Sequence, residues 1–297
     1  MTSAPPVRPD ASSPGGSPPN TSAKVWFITG TSSGLGRALA EAVLEHGDRL
    51  VATARDRSVI ADLAEQAPDR TCVLELDVTD PAAVRHAVRA AVEAFGRIDV
   101  LVNNAGYAMR GALEEISDQQ LRRQFDTNVF GAIDVTRAVL PTMRAQRSGH
   151  IVQMSSVGGV TTTLGGTAYA GTKFALEGLS EGLAAEVAHL GIGVTIVEPG
   201  PFRTDFAGRS VHWATPIEDY RPALAPAKDA FLAQNGAQPG DPVRAAHAIL
   251  AAVNLDTPPL RLPLGGPSFD RIRARLRARL DELDHVEKLG RDTDFPT

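Results

Sequence analysis

From Lys24 onward, short β-branched apolar runs alternate with longer segments in which apolar residues recur every three or four positions. That alternation is the signature of stacked βαβ units around a parallel sheet. The short runs predict strands at Val25–Thr29, Leu50–Thr53, Cys72–Leu76, Val100–Val102, His150–Met154 and Val194–Val197, with a last one near Leu260–Pro263. Between them, Leu35, Leu39 and Val43 share one helical face, as do Val84, Val88 and Phe95, then Leu121, Phe125 and Val129, then Leu179, Leu183 and Val187. Each such helix has one stripe to bury. Right-handed crossovers turn this order into a single α/β domain over 23–297, a doubly wound, mostly parallel seven-stranded sheet that takes its ligand at the carboxyl ends of the strands.

Two segments depart from that rhythm. Pro199 to Gly240 is rich in Pro, Gly and aromatic residues and too long for an ordinary connection, so it reads as a lid. A terminal helix over 267–289 carries Ile272, Leu276, Leu280 and Leu283 as its apolar stripe, while Arg at every second position from Arg271 to Arg279 spreads charge over several faces and reads as solvated. The first 22 residues hold six Pro and five Ser with no apolar run, which predicts a disordered tail.

Composition narrows the partners. Thirty Lys and Arg against 35 Asp and Glu give a formal net charge of −5, which offers no general attraction to nucleic acid or to an anionic membrane. A single cysteine, Cys72, and seven scattered His exclude an internal disulfide and show no metal-ligand spacing, so no metal and a cytoplasmic location are expected.

Chemistry enters at Thr29-Gly30-Thr31-Ser32-Ser33-Gly34-Leu35-Gly36, which leads from the first strand straight into a helix. Gly30 permits the tight turn, Gly34 lets the backbone approach a pyrophosphate, and Gly36 lets helix and strand pack closely where the helix presents its positive end. Further along, Tyr169 and Lys173 stand at i and i+4 on a predicted helix, a spacing that puts phenol and ammonium on one face about 6 Å apart at the backbone. Using a phenol of pKa about 10 near pH 7 takes roughly 4 kcal/mol of phenolate stabilisation. One ammonium at ~4 Å supplies about that much at an effective dielectric near 20. Ser156, at the end of the fifth strand, can donate to a carbonyl oxygen where charge develops.

The Gly-x-x-x-Gly-x-Gly spacing, Asp77-Val78 after the third strand, Asn103-Asn104-Ala105-Gly106 after the fourth, Ser156 with Tyr169 and Lys173, and Pro199-Gly200 with Thr204 after the sixth occur in order. From about Lys24 to Phe206 the chain therefore resembles the short-chain dehydrogenase/reductase family, and from Glu198 to Asp205 and at its long C-terminus it is similar to the hydroxysteroid-dehydrogenase-like branch. The resemblance implies a Rossmann fold and a nicotinamide cofactor held by Gly30, Ser32, Ser33, Gly34, Leu35 and Gly36. Asp77 and Val78 would hold its adenine, Asn104, Ala105 and Gly106 would border its ribose, and Pro199, Gly200, Phe202 and Thr204 would position the nicotinamide. It further implies that Ser156 orients substrate, Tyr169 is the acid or base, Lys173 tunes Tyr169 and holds the nicotinamide ribose, and Asn128 supports a proton relay. In the family register Ala54 stands where NAD users carry an acid and Arg55 follows, which points to NADP(H); the competing register puts Asp56 on the ribose and points to NAD.

The expected activity is interconversion of a hydrophobic ketone or aldehyde and its alcohol, because the mouth, from Tyr107 to Leu113, from Val157 to Leu164, and at Phe202, Phe206, Trp213 and Tyr220, is largely apolar with few fixed charges. The resemblance also implies a homodimer or homotetramer. Two other readings stay open, epimerisation or a related chemistry on the same cofactor, and a non-enzymatic NADP-sensing protein. No catalytic residue of the motif is missing.

Overall fold

A computed structural model describes residues 23–295, and the expected tail over 1–22 lies outside the described residues. The strands are β1 (Val25–Thr29), β2 (Arg49–Ala54), β3 (Thr71–Glu75), β4 (Val100–Asn103), β5 (Ala108–Arg110), β6 (Gly149–Met154), β7 (Ile192–Pro199), β8 (Val211–Trp213) and β9 (Arg261–Leu264). Seven of them form one sheet in the order β3-β2-β1-β4-β6-β7-β9, with every pair parallel. All seven expected strands are present, their ends displaced by no more than two residues. The order reverses between β1 and β4, so the crevice above their carboxyl ends is where a doubly wound sheet binds its ligand.

The strand sequences are apolar almost throughout because both faces are covered. Trp26 and Ile28 of β1 pack with Leu39 and Val43 of helix α1 (Gly34–His46) on one face, and Val25 and Phe27 pack on the other with Val84 and Val88, which lie between Pro81 and Phe95. The remaining helices are α2 (Ala61–Gln66), α3 (Pro81–Phe95), α4 (Asp118–Phe125), α5 (Ala132–Gln146), α6 (Thr167–Val187), α7 (Phe206–Arg209), α8 (Arg221–Ala233), α9 (Pro242–Val253) and α10 (Gly266–Arg291). The first two expected stripes are buried or half-buried, but that of α6 needs correction. Its sheet-facing line runs through Thr172, Lys173, Leu176, Ser180 and Val187, and Leu179, at the edge of that line, is 48% exposed.

The lid segment is more structured than its composition suggests. It contains α7, β8 and α8, and β8 pairs in parallel with β5 so that Arg110 lies opposite Trp213. Helix α9, which the pattern of strands and stripes does not include, is capped by Asp241, whose carboxylate accepts from the Val243 amide at 2.9 Å, and it lays its apolar face against α1. Helix α10 forms where expected, but Leu276, Leu280 and Leu283 are exposed and only Ile272 of the predicted stripe is buried, because the helix leaves the body of the protein after that residue.

Leu39 is 1% exposed in the layer that fixes α1 to the sheet. Leu39→Ala is expected to cost about 2–5 kcal/mol in urea unfolding, through lost burial and the cavity left behind.

Candidate active site

Gly30 and Gly34 have φ of +71° and +63°, a region that side-chain-bearing residues rarely adopt. Gly36 is required for a different reason, since a Cβ there would collide with the Asn104 amide nitrogen and the Gly30 carbonyl oxygen. The Asn104 amide occupies that space and donates to the carbonyls of Thr29 and Gly30, both at 2.9 Å, while the Thr29 hydroxyl accepts from the Asn104 and Ala105 amides at 2.9 and 3.0 Å. The β4 loop is thereby bolted to the glycine turn. Ser33 caps α1 without a side-chain hydrogen bond, and the first turn holds no acid, so its free N–H groups and positive end remain available to an anion. These residues fit the pyrophosphate of a dinucleotide.

A cavity of about 1290 Å³ extends from this turn across the carboxyl ends of the strands. At one end Ser32, Ser33, Leu35, Arg55, Asp77, Val78, Ala105 and Gly106 line it, with Thr204 beside Gly34, and at the other Ser156, Tyr169, Lys173, Pro199, Gly200 and Phe202. Of the expected site residues only Gly36 and Asn128 do not line it. Asp56 lies outside the lining as well, because its carboxylate accepts from the Ser58 amide at 2.9 Å and hydroxyl at 2.6 Å and caps the turn at Arg57–Ile60. Ser268 Oγ donates to the Glu198 carbonyl at 2.8 Å and the Gly200 amide donates to Leu264 at 3.0 Å, which pins the Pro199-Gly200 corner from α10 and β9.

Asn128 sits in a π-helical turn, Asp126–Gly131, between α4 and α5. Its amide is fully engaged: Oδ1 accepts from the Tyr107 amide at 3.0 Å, and Nδ2 donates to the Tyr107 carbonyl at 2.9 Å and to Thr172 Oγ1 at 3.1 Å. The side chain thus ties the β4 loop to α6, three residues from Tyr169. The widened turn that brings it inward has no signature in hydrophobic periodicity.

The mouth differs from the expected one. Leu113 is 58% exposed, and Tyr220 is turned outward to donate to Glu114 at 2.7 Å, whereas Phe231, absent from the sequence reading, lines the cavity beside Phe206 and Trp213. Arg110, Arg209 and Arg271 also line it, so fixed charge is more prominent than expected. Arg110 is held with its guanidinium 4.5 Å from the Phe231 ring and 5.5 Å from that of Trp213, a contact between β5 and the lid.

The short chain dehydrogenase family model matches residues 24–215 of this chain. The chain belongs to the short-chain dehydrogenase/reductase family. It is 42% identical over 243 residues to oxidoreductase BOA17 of Botryotinia fuckeliana, covering 82% of this chain and 89% of that one. It is 36% identical over 253 residues to a protein of Bacteroides thetaiotaomicron named 3-ketodihydrosphingosine reductase, covering 82% and 88%. The solved structure of a short-chain dehydrogenase from Streptomyces avermitilis is similar at a TM-score of 0.87 and 45% identity, with 93% of this chain and all of that one covered. The protein is therefore an NAD(P)-dependent dehydrogenase or reductase.

In this short-chain dehydrogenase Lys173 is buried and Tyr169 is half-buried beside it. Burial pushes the Tyr169 phenol above its ordinary pKa, opposed by the Ser156 hydroxyl and the Arg110 charge. Lys173 donates to the Met154 carbonyl at 2.6 Å, and its nitrogen is 5.7 Å from the centre of the Tyr169 ring. Burial lowers its pKa to about 8, against a raising influence of Glu177. The simple estimate from an ammonium at ~4 Å thus gives way to desolvation: in the protein alone, Tyr169 is a protonated donor.

Behind Lys173 stand two buried carboxylates that sequence reasoning missed. Glu177 lies one turn beyond Lys173, with Ser155 and Gly159 beside it, and Glu198 is 1% exposed at the end of β7. Both face Arg261, whose Nε is 3.3 Å from Glu177 and 3.7 Å from Glu198. Burial, reinforced by Glu177, pushes Glu198 up to about 7, and burial likewise raises Glu177.

Two outcomes are expected. Gly36→Ala forces Asn104 off the turn and should weaken dinucleotide binding at least tenfold in a fluorescence titration. Because Glu198 takes up its proton more readily folded than unfolded, its contribution to stability is complete below about pH 4.5 and lost as pH rises through about 7. Glu198→Gln should therefore raise the melting temperature relative to the parent more at pH 8 than at pH 5, a difference on the order of 2 kcal/mol.

Proposed function

We propose that the protein is an NADP(H)-dependent reductase of hydrophobic ketones or aldehydes in which Tyr169 gives its phenolic proton to the carbonyl oxygen. The observation that carries this is the convergence of Ser156, Tyr169 and Lys173 at one end of the cavity whose other end is the glycine turn. The dinucleotide, when bound, supplies the hydride. Ser156 Oγ, which accepts from the Gly158 amide at 3.0 Å, keeps its own proton free to donate to the substrate oxygen and hold it near Tyr169. Lys173, anchored on Met154, brings a positive charge that favours the phenolate left after transfer.

Arg55 on the cavity wall, with Asp56 occupied in its cap, supports recognition of a 2′-phosphate by a guanidinium. Met109, Val157, Phe206, Trp213 and Phe231 supply an apolar surface for the substrate, in keeping with the Bacteroides thetaiotaomicron relative's name. Phe130, Phe174 and Leu179, 56%, 43% and 48% exposed on the outer side of the helical layer that carries Asn128 and Tyr169, support a subunit contact there. No helix among the described residues is long and apolar enough to cross a membrane, and no metal-binding cluster occurs among them.

Tyr169→Phe should reduce turnover of a hydrophobic-ketone panel by about 10²–10⁴ while leaving NADPH affinity within a few-fold. Turnover that survives the substitution would remove Tyr169 from the proton transfer. Arg55→Ala should weaken NADPH at least tenfold and NADH little in parallel titrations; tighter NADH binding by the parent would overturn the cofactor assignment.

A further inference from the structure

Helix α10 is 26 residues long, about 39 Å at 1.5 Å per residue, yet beyond Arg275 every described residue is exposed. The free part carries Leu276, Leu280, Leu283 and Val286, between 48% and 60% exposed, on one continuous stripe at spacings of four, three and three. Most of a helix's stability in a protein comes from packing its apolar face, and the stripe of exposed leucines here is an unfilled packing surface.

The charges beside the stripe say what covers it. Arg273 and Glu287 stand seven residues before and after Leu280, almost in line with it; beside that line Arg277 precedes the midpoint at Leu280 and Asp284 follows it, and towards the other edge of the stripe Arg279 precedes and Glu282 follows. Arg277, Arg279 and Asp284 have no ion-pair partner within the chain among the described residues, and the two intrachain pairs on this arm, Arg275–Glu282 at 3.1 Å and Glu287–Arg291 at 2.7 Å, are both exposed. When two copies of such a helix lie antiparallel, like flanks meet and residues equally far from the midpoint face each other. Arg273 then faces Glu287 of the second copy, and Arg277 comes within one residue of facing Asp284, as Leu276 does of facing Leu283 at the seam. A parallel pair would instead set Arg273, Arg275, Arg277 and Arg279 of one copy beside the same four of the other.

We propose that α10 is an interaction arm that pairs antiparallel with α10 of a second copy of this chain, in register about Leu280. The two bodies, each attached near Ile272, then sit at opposite ends of the paired segment, about 24 Å apart along it. The surface is separate from the Phe130, Phe174 and Leu179 patch, so the two contacts together would link subunits in two directions. This proposal does not depend on the enzymatic reading.

Cysteine cross-linking tests the register directly in full-length protein carrying Cys72→Ala, which removes the one native thiol. Arg273→Cys and Glu287→Cys proteins, mixed and mildly oxidised, are expected to give a disulfide-linked dimer only in the mixture, while Leu280→Cys cross-links to itself. Adding Leu283→Glu should reduce the mixed product at least tenfold. Self-linking by Arg273→Cys and by Glu287→Cys separately would show parallel pairing and overturn the proposal. So would no cross-link in any combination, which would leave the arm monomeric or occupied by another partner. All four cross-linking and seam positions on α10 are exposed in the single chain, and unchanged circular dichroism verifies that each variant is folded.

Discussion

The active end of this protein depends on the absence of one carbon atom. Because Gly36 has no Cβ, the Asn104 amide fits against the first turn of α1 and holds the carbonyls of Thr29 and Gly30. That contact fixes the β4 loop relative to the glycine turn across the point where the strand order reverses. From the same loop, the Tyr107 backbone runs to Asn128, and Asn128 to Thr172 on the helix that carries Tyr169 and Lys173. A chain of hydrogen bonds thus joins the glycine turn to the helix that carries Tyr169 and Lys173, and both ends rest on rigid secondary structure.

The sequence made the sheet and most of the site legible, for identifiable reasons. The strands are buried on both faces, so β-branched runs mark them unambiguously, and Gly30, Ser156, Tyr169 and Lys173 occupy positions where backbone geometry or chemistry restricts residue type. What was not legible follows from contacts between distant segments. The ribbon of β5 and β8 is three residues long on each side and forms only because the lid folds back on the β4 loop. Leu179 and the leucines of α10 fall in good helical stripes, but periodicity says only that a face is apolar, not whether this chain or another covers it. The Asn128 turn escaped because a π-helical segment shifts register within a continuous helix.

The electrostatics were the hardest part to read. An i, i+4 pair suggests that Lys173 lowers the Tyr169 pKa, and the pair is in place, but burial raises the phenol's pKa against the Ser156 hydroxyl and the Arg110 charge. Burial also explains why Glu177 and Glu198, far apart in sequence, matter: two buried carboxylates meet beside the half-exposed Arg261 behind Lys173, and one guanidinium does not neutralise both. Oε1 of each carboxylate is buried without a hydrogen-bond partner. Such groups cost stability, and a fold optimised for stability alone would replace them with apolar residues.

Where the site is expensive, the surrounding scaffold is correspondingly firm. The Pro199-Gly200 corner is held from two sides, by Ser268 on the Glu198 carbonyl and by Leu264 on the Gly200 amide, so the first turn of α10 and the last strand buttress the wall opposite Tyr169. This places the two ends of α10 under different demands. Its beginning is packed against the corner that shapes the cavity, and its remainder contributes nothing to that packing. A helix extended well beyond the contacts its own domain needs must be stabilised by something outside that domain, and its segregated charges make another copy of itself a complementary surface.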